Sequence, residues 1–91
     1  MYEQFNMLTL KPYKSGNMRQ LCEHREEEQF SSNLWGTEKQ IQTLNGRIIK
    51  GENGLKLKPW NHTVFNLNQT NMNEESLQER REKLINKMEK R

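Results

Sequence analysis

The sequence predicts a small single-domain α+β fold: an N-terminal helix, a short capped helix, a β-hairpin extended by a third strand, and a C-terminal helix. Three observations carry that expectation. Helix-favouring residues fill 18–29 and 74–91, a capping signature begins at Thr37, and between 47 and 70 strand-like runs are cut by Gly, Asn and Pro. Ninety-one residues hold one core. The domain is expected to occupy 1–91, with its core over about 12–70 and the last helix over about 74–91.

The elements follow in order. Residues 1–10, "MYEQFNMLTL", mix apolar and polar positions and suit a short helix or an extended arm. "KPYKSGN" reads as a turn, with Pro12, Ser15, Gly16 and Asn17 as breakers. The helix from Met18 to about Gln29 places Met18, Leu21, Cys22 and Arg25 on one side. Glu26, Glu27 and Glu28 fall late in it, against the macrodipole, so it is expected to end near Phe30. Residues 31–33 are a loop. Thr37 and Gln40 have capping-box spacing, Ile41 and Leu44 give the short helix an apolar face, and Gly46 suits a left-handed stop.

"RIIK" (47–50) then reads as a strand, "GENG" (51–54) as a turn, and "LKLK" (55–58) as a half-buried strand ended by Pro59. An even-numbered hairpin loop puts Ile48, Leu55 and Leu57 on the core face. Arg47, Ile49, Lys56, Lys58 and Trp60 then lie on the other. "TVFNLNQT" (63–70) supplies the third strand. Asn73 caps the last helix, Glu74 and Glu75 occupy its first turn, and Lys87, Lys90 and Arg91 its last, all matching the dipole. Leu77, Leu84, Ile85 and Met88 form a narrow apolar stripe that Arg81 interrupts.

Composition excludes several functions. Only 31% of residues are hydrophobic, so the core is modest. Asp is absent, every carboxylate side chain is a long Glu, and a tight carboxylate metal cage is not expected. The single Cys22 rules out an internal disulfide and a multi-Cys zinc site. No cofactor or metal is expected. Cys22 and His24 are two apart on a helix and point in different directions, and His62 is remote. No catalytic residue is assigned, and an enzyme is not expected. There is no apolar run of about 18 residues and no charged start before an apolar core, so the expected location is cytoplasmic, away from membranes.

The net charge of +3 is unevenly distributed. Residues 1–30 carry −1, residues 31–60 carry +3, and residues 61–91 carry +1. The middle third is where a polyanion is expected to bind.

That third also holds a recognisable string, "WGTEKQ" followed by "NGRIIKGENGLKL". It resembles the N-terminal domain of ArdC-type antirestriction proteins. Trp35, Thr37, Lys39, Gln40, Gly46, Ile48, Lys50, Gly51 and Glu52 match the family spacing, as do Phe65, Asn66 and Gln69 in "VFNLNQT". In "PYKSGN", Tyr13 and Asn17 are in step, but the glycine stands one position late, at 16. The resemblance spans roughly Pro12 to Thr70. It implies a single-stranded-DNA-binding domain carried by plasmids and phages. Family members usually add a metallopeptidase-like domain with a His-Glu-x-x-His helix, which this sequence lacks, so a stand-alone N-terminal domain is expected.

Thr37, Gln40, Gly46, Gly51 and Gly54 are sufficiently explained by capping and turn chemistry, and Trp35 by a core position. Arg47, Lys50, Lys56 and Lys58 are not required by the fold. With Trp60 as a stacking surface they have the composition of a single-strand-binding face. Lys39 offers a further phosphate contact. Tyr13 and Asn17 either touch the sugar-phosphate chain or fix the turn. Asn66 and Gln69 either read base edges or close hydrogen bonds at the sheet end. The expected partner is single-stranded DNA. The alternative is a protein-directed inhibitor of a host defence nuclease, such as a CRISPR effector, suggested by "EHREEE" and the amphipathic last helix.

Overall fold

The computed structural model describes residues 3–59 and 61–89. In chain order the elements are β1 (Phe5–Asn6), α1 (Ser15–Glu28), β2 (Leu34–Gly36), α2 (Glu38–Thr43), β3 (Leu55–Leu57), β4 (His62–Asn66), a 3-10 turn (Leu67–Gln69) and α3 (Glu74–Glu89). The fold is α+β, with a four-stranded sheet ordered β1-β2-β4-β3. β1 lies parallel to β2, and the other pairs are antiparallel.

Alternation along the strands sends side chains to opposite faces, and each face has its own core. Leu21 of α1 packs with Trp35, Leu57 and Val64 on one face. Ile41 and Leu44 of α2, Met7, Leu67, Met72 and Leu77 of α3 fill the other. Met7 and Leu77 extend the core on both sides of the central segment. Trp35 is fully buried, its indole Nε1–H donating to Gln4 Oε1 at 2.7 Å. Phe30 meets it edge-on, with ring centroids 5.9 Å apart.

Several elements form as the sequence predicts. Thr37 accepts from the Gln40 amide while the Gln40 side chain accepts from the Thr37 amide, a complete capping box. Asn73 caps α3 by accepting from Ser76 N. α1 closes at Gln29, which takes the left-handed conformation just before Phe30. Of the first ten residues, those described take the extended alternative through β1, followed by a turn at 7–9. No helix of the described residues is long and apolar enough to cross a membrane.

Other expectations are corrected. The hairpin joins β3 to β4, pairing Leu55 with Val64 and Leu57 with His62, rather than joining 47–50 to 55–58. Pro59 and left-handed Asn61 form its turn, with Asn61 N–H donating to Leu57 O. Residues 47–50 are not a strand because their backbone finds partners elsewhere. Ile49 N–H donates to Gln69 O, and Ile48 makes an isolated bridge to Thr70. Ile48 therefore packs on the opposite sheet face from Leu55 and Leu57. The third strand stops at Asn66, where a 3-10 turn begins. Ser15, Gly16 and Asn17 belong to the first turn of α1, not to a preceding turn.

Two glycines change meaning. Asn45, not Gly46, takes the left-handed position after α2. Gly46 donates its N–H to Ile41 O, and a Cβ there would lie 2.6 Å from Met72 Cε, so its role is to let the Met72 side chain pack close rather than to supply a left-handed stop. Gly54 likewise has no positive φ. A Cβ there would meet Thr63 Cγ2 at 2.5 Å and the backbone oxygen of Val64 at 2.9 Å. Gly54→Ala is therefore expected to destabilise the fold by about 1–3 kcal/mol, the usual cost of overpacking, read from the midpoint of urea unfolding.

Candidate functional site

The family-like motif residues form a network of amide side chains that closes loop ends. Gln40 Oε1 accepts from Thr37 N–H at 3.0 Å and from Asn6 Nδ2 at 2.9 Å. Asn6 Nδ2 also donates to Tyr13 Oη at 3.2 Å. Asn66, fully buried, donates through Nδ2 to Ser32 O and accepts from Asn68 N–H. Gln69 is also buried. Its Oε1 accepts from Asn66 N–H, and its Nε2 donates to Asn53 O at 2.8 Å. Asn66 and Gln69 are thus committed to the scaffold, with no free edge to offer a base. Tyr13 is half-buried, and burial raises its phenol above the ordinary value near 10, while the Asn6 bond acts in the opposite direction.

The cations are placed differently. Arg47, Lys50, Lys56 and Lys58 are all exposed. Arg47 and Lys50 lie in the loop leading into β3, an edge strand, Lys56 within that strand and Lys58 just after it, rather than across one face of a 47–58 hairpin. At one end Arg47 N–H donates to Asn71 Oδ1. At the other, the backbone of Lys58 is clamped to α1, its N–H donating to Gln20 Oε1 and its carbonyl accepting from Gln20 Nε2. Asn17, one turn before Gln20, shares that helix face. Trp60 lies outside the described residues, as do Lys90 and Arg91. Lys39 stands apart from this run. It is exposed on α2, and its carbonyl accepts from Thr43 Oγ1.

Sequence reasoning missed what α3 does. Leu77 and Leu84 share a side, the first buried and the second half-buried. An arginine on each side fastens the helix to the body. Arg80 Nη1 donates to Asn45 O at 2.6 Å, satisfying an open carbonyl at the end of α2. Arg81 Nε donates to Leu8 O at 3.0 Å, which explains a cation within the apolar stripe. Two grooves flank the helix. One, of about 550 Å³, includes Phe5, Leu10, Leu34, Leu77 and Arg81 in its lining. The other, of about 420 Å³, lies between the end of α2 and Arg80, Lys83 and Lys87. The i, i+3, i+7 spacing of those cations was the available signal. Among the described residues no group of three or more His, Cys, Asp or Glu is placed to hold a metal ion.

Two outcomes follow. Asn66→Ala is expected to cost about 2–4 kcal/mol, because Ser32 O and Asn68 N–H lose their buried partner, and chemical denaturation measures it. Tyr13 contributes stability that is fully present below pH 10 and is lost as pH rises through its raised folded-state value. Tyr13→Phe should therefore flatten the alkaline fall of the melting temperature.

A family model described as the N-terminal domain of anti-restriction factor ArdC matches residues 3–90, nearly the whole chain, and the chain belongs to that family. No curated protein and no solved structure gave a significant match.

Proposed function

We propose that this member of the ArdC N-terminal-domain family binds single-stranded DNA, and that it protects the DNA of a phage or plasmid from a host defence inside the cytoplasm. The observation that carries the reading is the exposed cationic run Arg47, Lys50, Lys56 and Lys58, with Glu52 the one acid among 47–58. Such a run suits phosphates, which supply most of the affinity for single strands, and it implies weak sequence preference. The chain acts by binding rather than by catalysis.

A second reading is surface binding to a host defence nuclease. It is favoured by Ile85 and Met88 on α3, which are 44% and 66% exposed although apolar. A host effector captured by the purified protein after nuclease treatment would favour this second reading.

The first reading is tested with Lys50→Glu, Lys56→Glu and Lys58→Glu combined, three exposed positions outside the core. The fold should survive, as judged by circular dichroism. Affinity for a labelled single strand, measured by fluorescence anisotropy, should fall at least about a hundredfold at low salt. The logarithmic salt slope should become shallower by about 2, at roughly 0.7 per lost contact. Unchanged affinity would overturn this placement of the DNA.

A further inference from the structure

The groove between the end of α2 and α3 is separate from the run of cations assigned above, and its chemistry is more one-sided. Thr43, Leu44 and Asn45 form one wall, and Arg80, Lys83 and Lys87 the other. Its described lining contains no carboxylate. The helical repeat accounts for this separation. Each residue turns the helix by about 100°, so 80, 83 and 87 fall on one side and Glu75 and Glu82 on another, while Glu79, one turn before Lys83, stands at the border and does not line the groove. Lys83 and Lys87 are exposed, and neither forms an ion pair with a described residue.

Arg80 contributes in a different way. Its bond to Asn45 O fixes the two walls relative to each other, leaving Lys83 and Lys87 as the free charges. They are four residues apart, a rise of about 6 Å along the helix. That is comparable with the step between neighbouring phosphates in a nucleic acid chain. The groove also leads toward the first site. Asn45 lines it, and Arg47, two residues on, lies on the other side of α2 beside Ile41 and Gly46.

We propose that this groove is a second phosphate-binding track for the same single strand, with Lys83 and Lys87 contacting adjacent phosphates. The strand crosses the end of α2 from Lys83 to Arg47 and continues along the loop toward Lys56. This inference rests on the proposed single-strand binding and adds the path of the strand. The neutral amide and leucine of the α2 wall suit a backbone of regularly spaced charges that leaves its bases outside.

The test compares the whole chain with Lys83→Glu/Lys87→Glu and with the milder Lys83→Gln/Lys87→Gln, using anisotropy of a labelled single strand across a salt series. The Glu pair should bind at least about tenfold more weakly at low salt. Both pairs should lower the salt slope by about 1.4, two contacts at roughly 0.7 each. Both should melt like the parent, and if the Glu pair does not, the Gln pair decides. If the parent binds DNA while the Gln pair matches it in affinity and slope, the groove assignment alone fails. If the parent binds no oligonucleotide of any kind, the single-strand reading fails with it. Binding of poly-glutamate at least as tightly as the oligonucleotide, lost in the Gln pair, would reassign the groove to an acidic protein and overturn the proposal.

Discussion

The hydrogen bond from the Trp35 indole to Gln4 is the contact on which the outer parts of the molecule depend. At 2.7 Å between two fully buried side chains, it ties the N-terminal arm to the middle of the sheet. An unpaired indole N–H or amide oxygen in that position would cost on the order of 1–3 kcal/mol, so the arm is held by penalty as much as by attraction. Once the arm is fixed, Asn6 reaches Gln40 at the head of α2, and Leu8 presents the carbonyl that receives Arg81. The placement of α2 and α3 thus follows from an arm that the sequence leaves open between helix and strand.

Polar side chains do much of the work in this protein because the apolar ones are few. Each of the two small cores covers one face of the sheet, and the loops between elements are closed by amides. Asn6, Asn66 and Asn68 each accept from backbone N–H groups two or three residues away or across the fold. This is the usual local chemistry of Asn, used repeatedly. It turns motif positions that resemble recognition residues into structural ones.

The sequence was most legible where the chemistry is local. The Thr37–Gln40 box, the Asn73 cap and the end of α1 at Gln29 depend on residues within a turn of one another. Strand pairing was less legible. "RIIK" has good strand composition, yet its backbone partners are at 69–71, some twenty residues on, and nothing in its own pattern distinguishes them from 55–58. β1 and β2 are only two and three residues long, too short to show a period. The cations of 47–58 were visible as charge. The grouping of Arg80, Lys83 and Lys87 against the end of α2 required knowing which side of α3 faces α2.

The two arginines of α3 donate to main-chain carbonyls, of Asn45 and Leu8, rather than to particular side chains. Every residue type carries that acceptor. Side chains at 8 and 45 can therefore change without removing the acceptors of these two anchors, provided the backbone path is kept. Such an arrangement separates the backbone path, which must be preserved, from the side chains at the two acceptor positions, which can vary. The helix stays in place whichever side chains stand at those two positions.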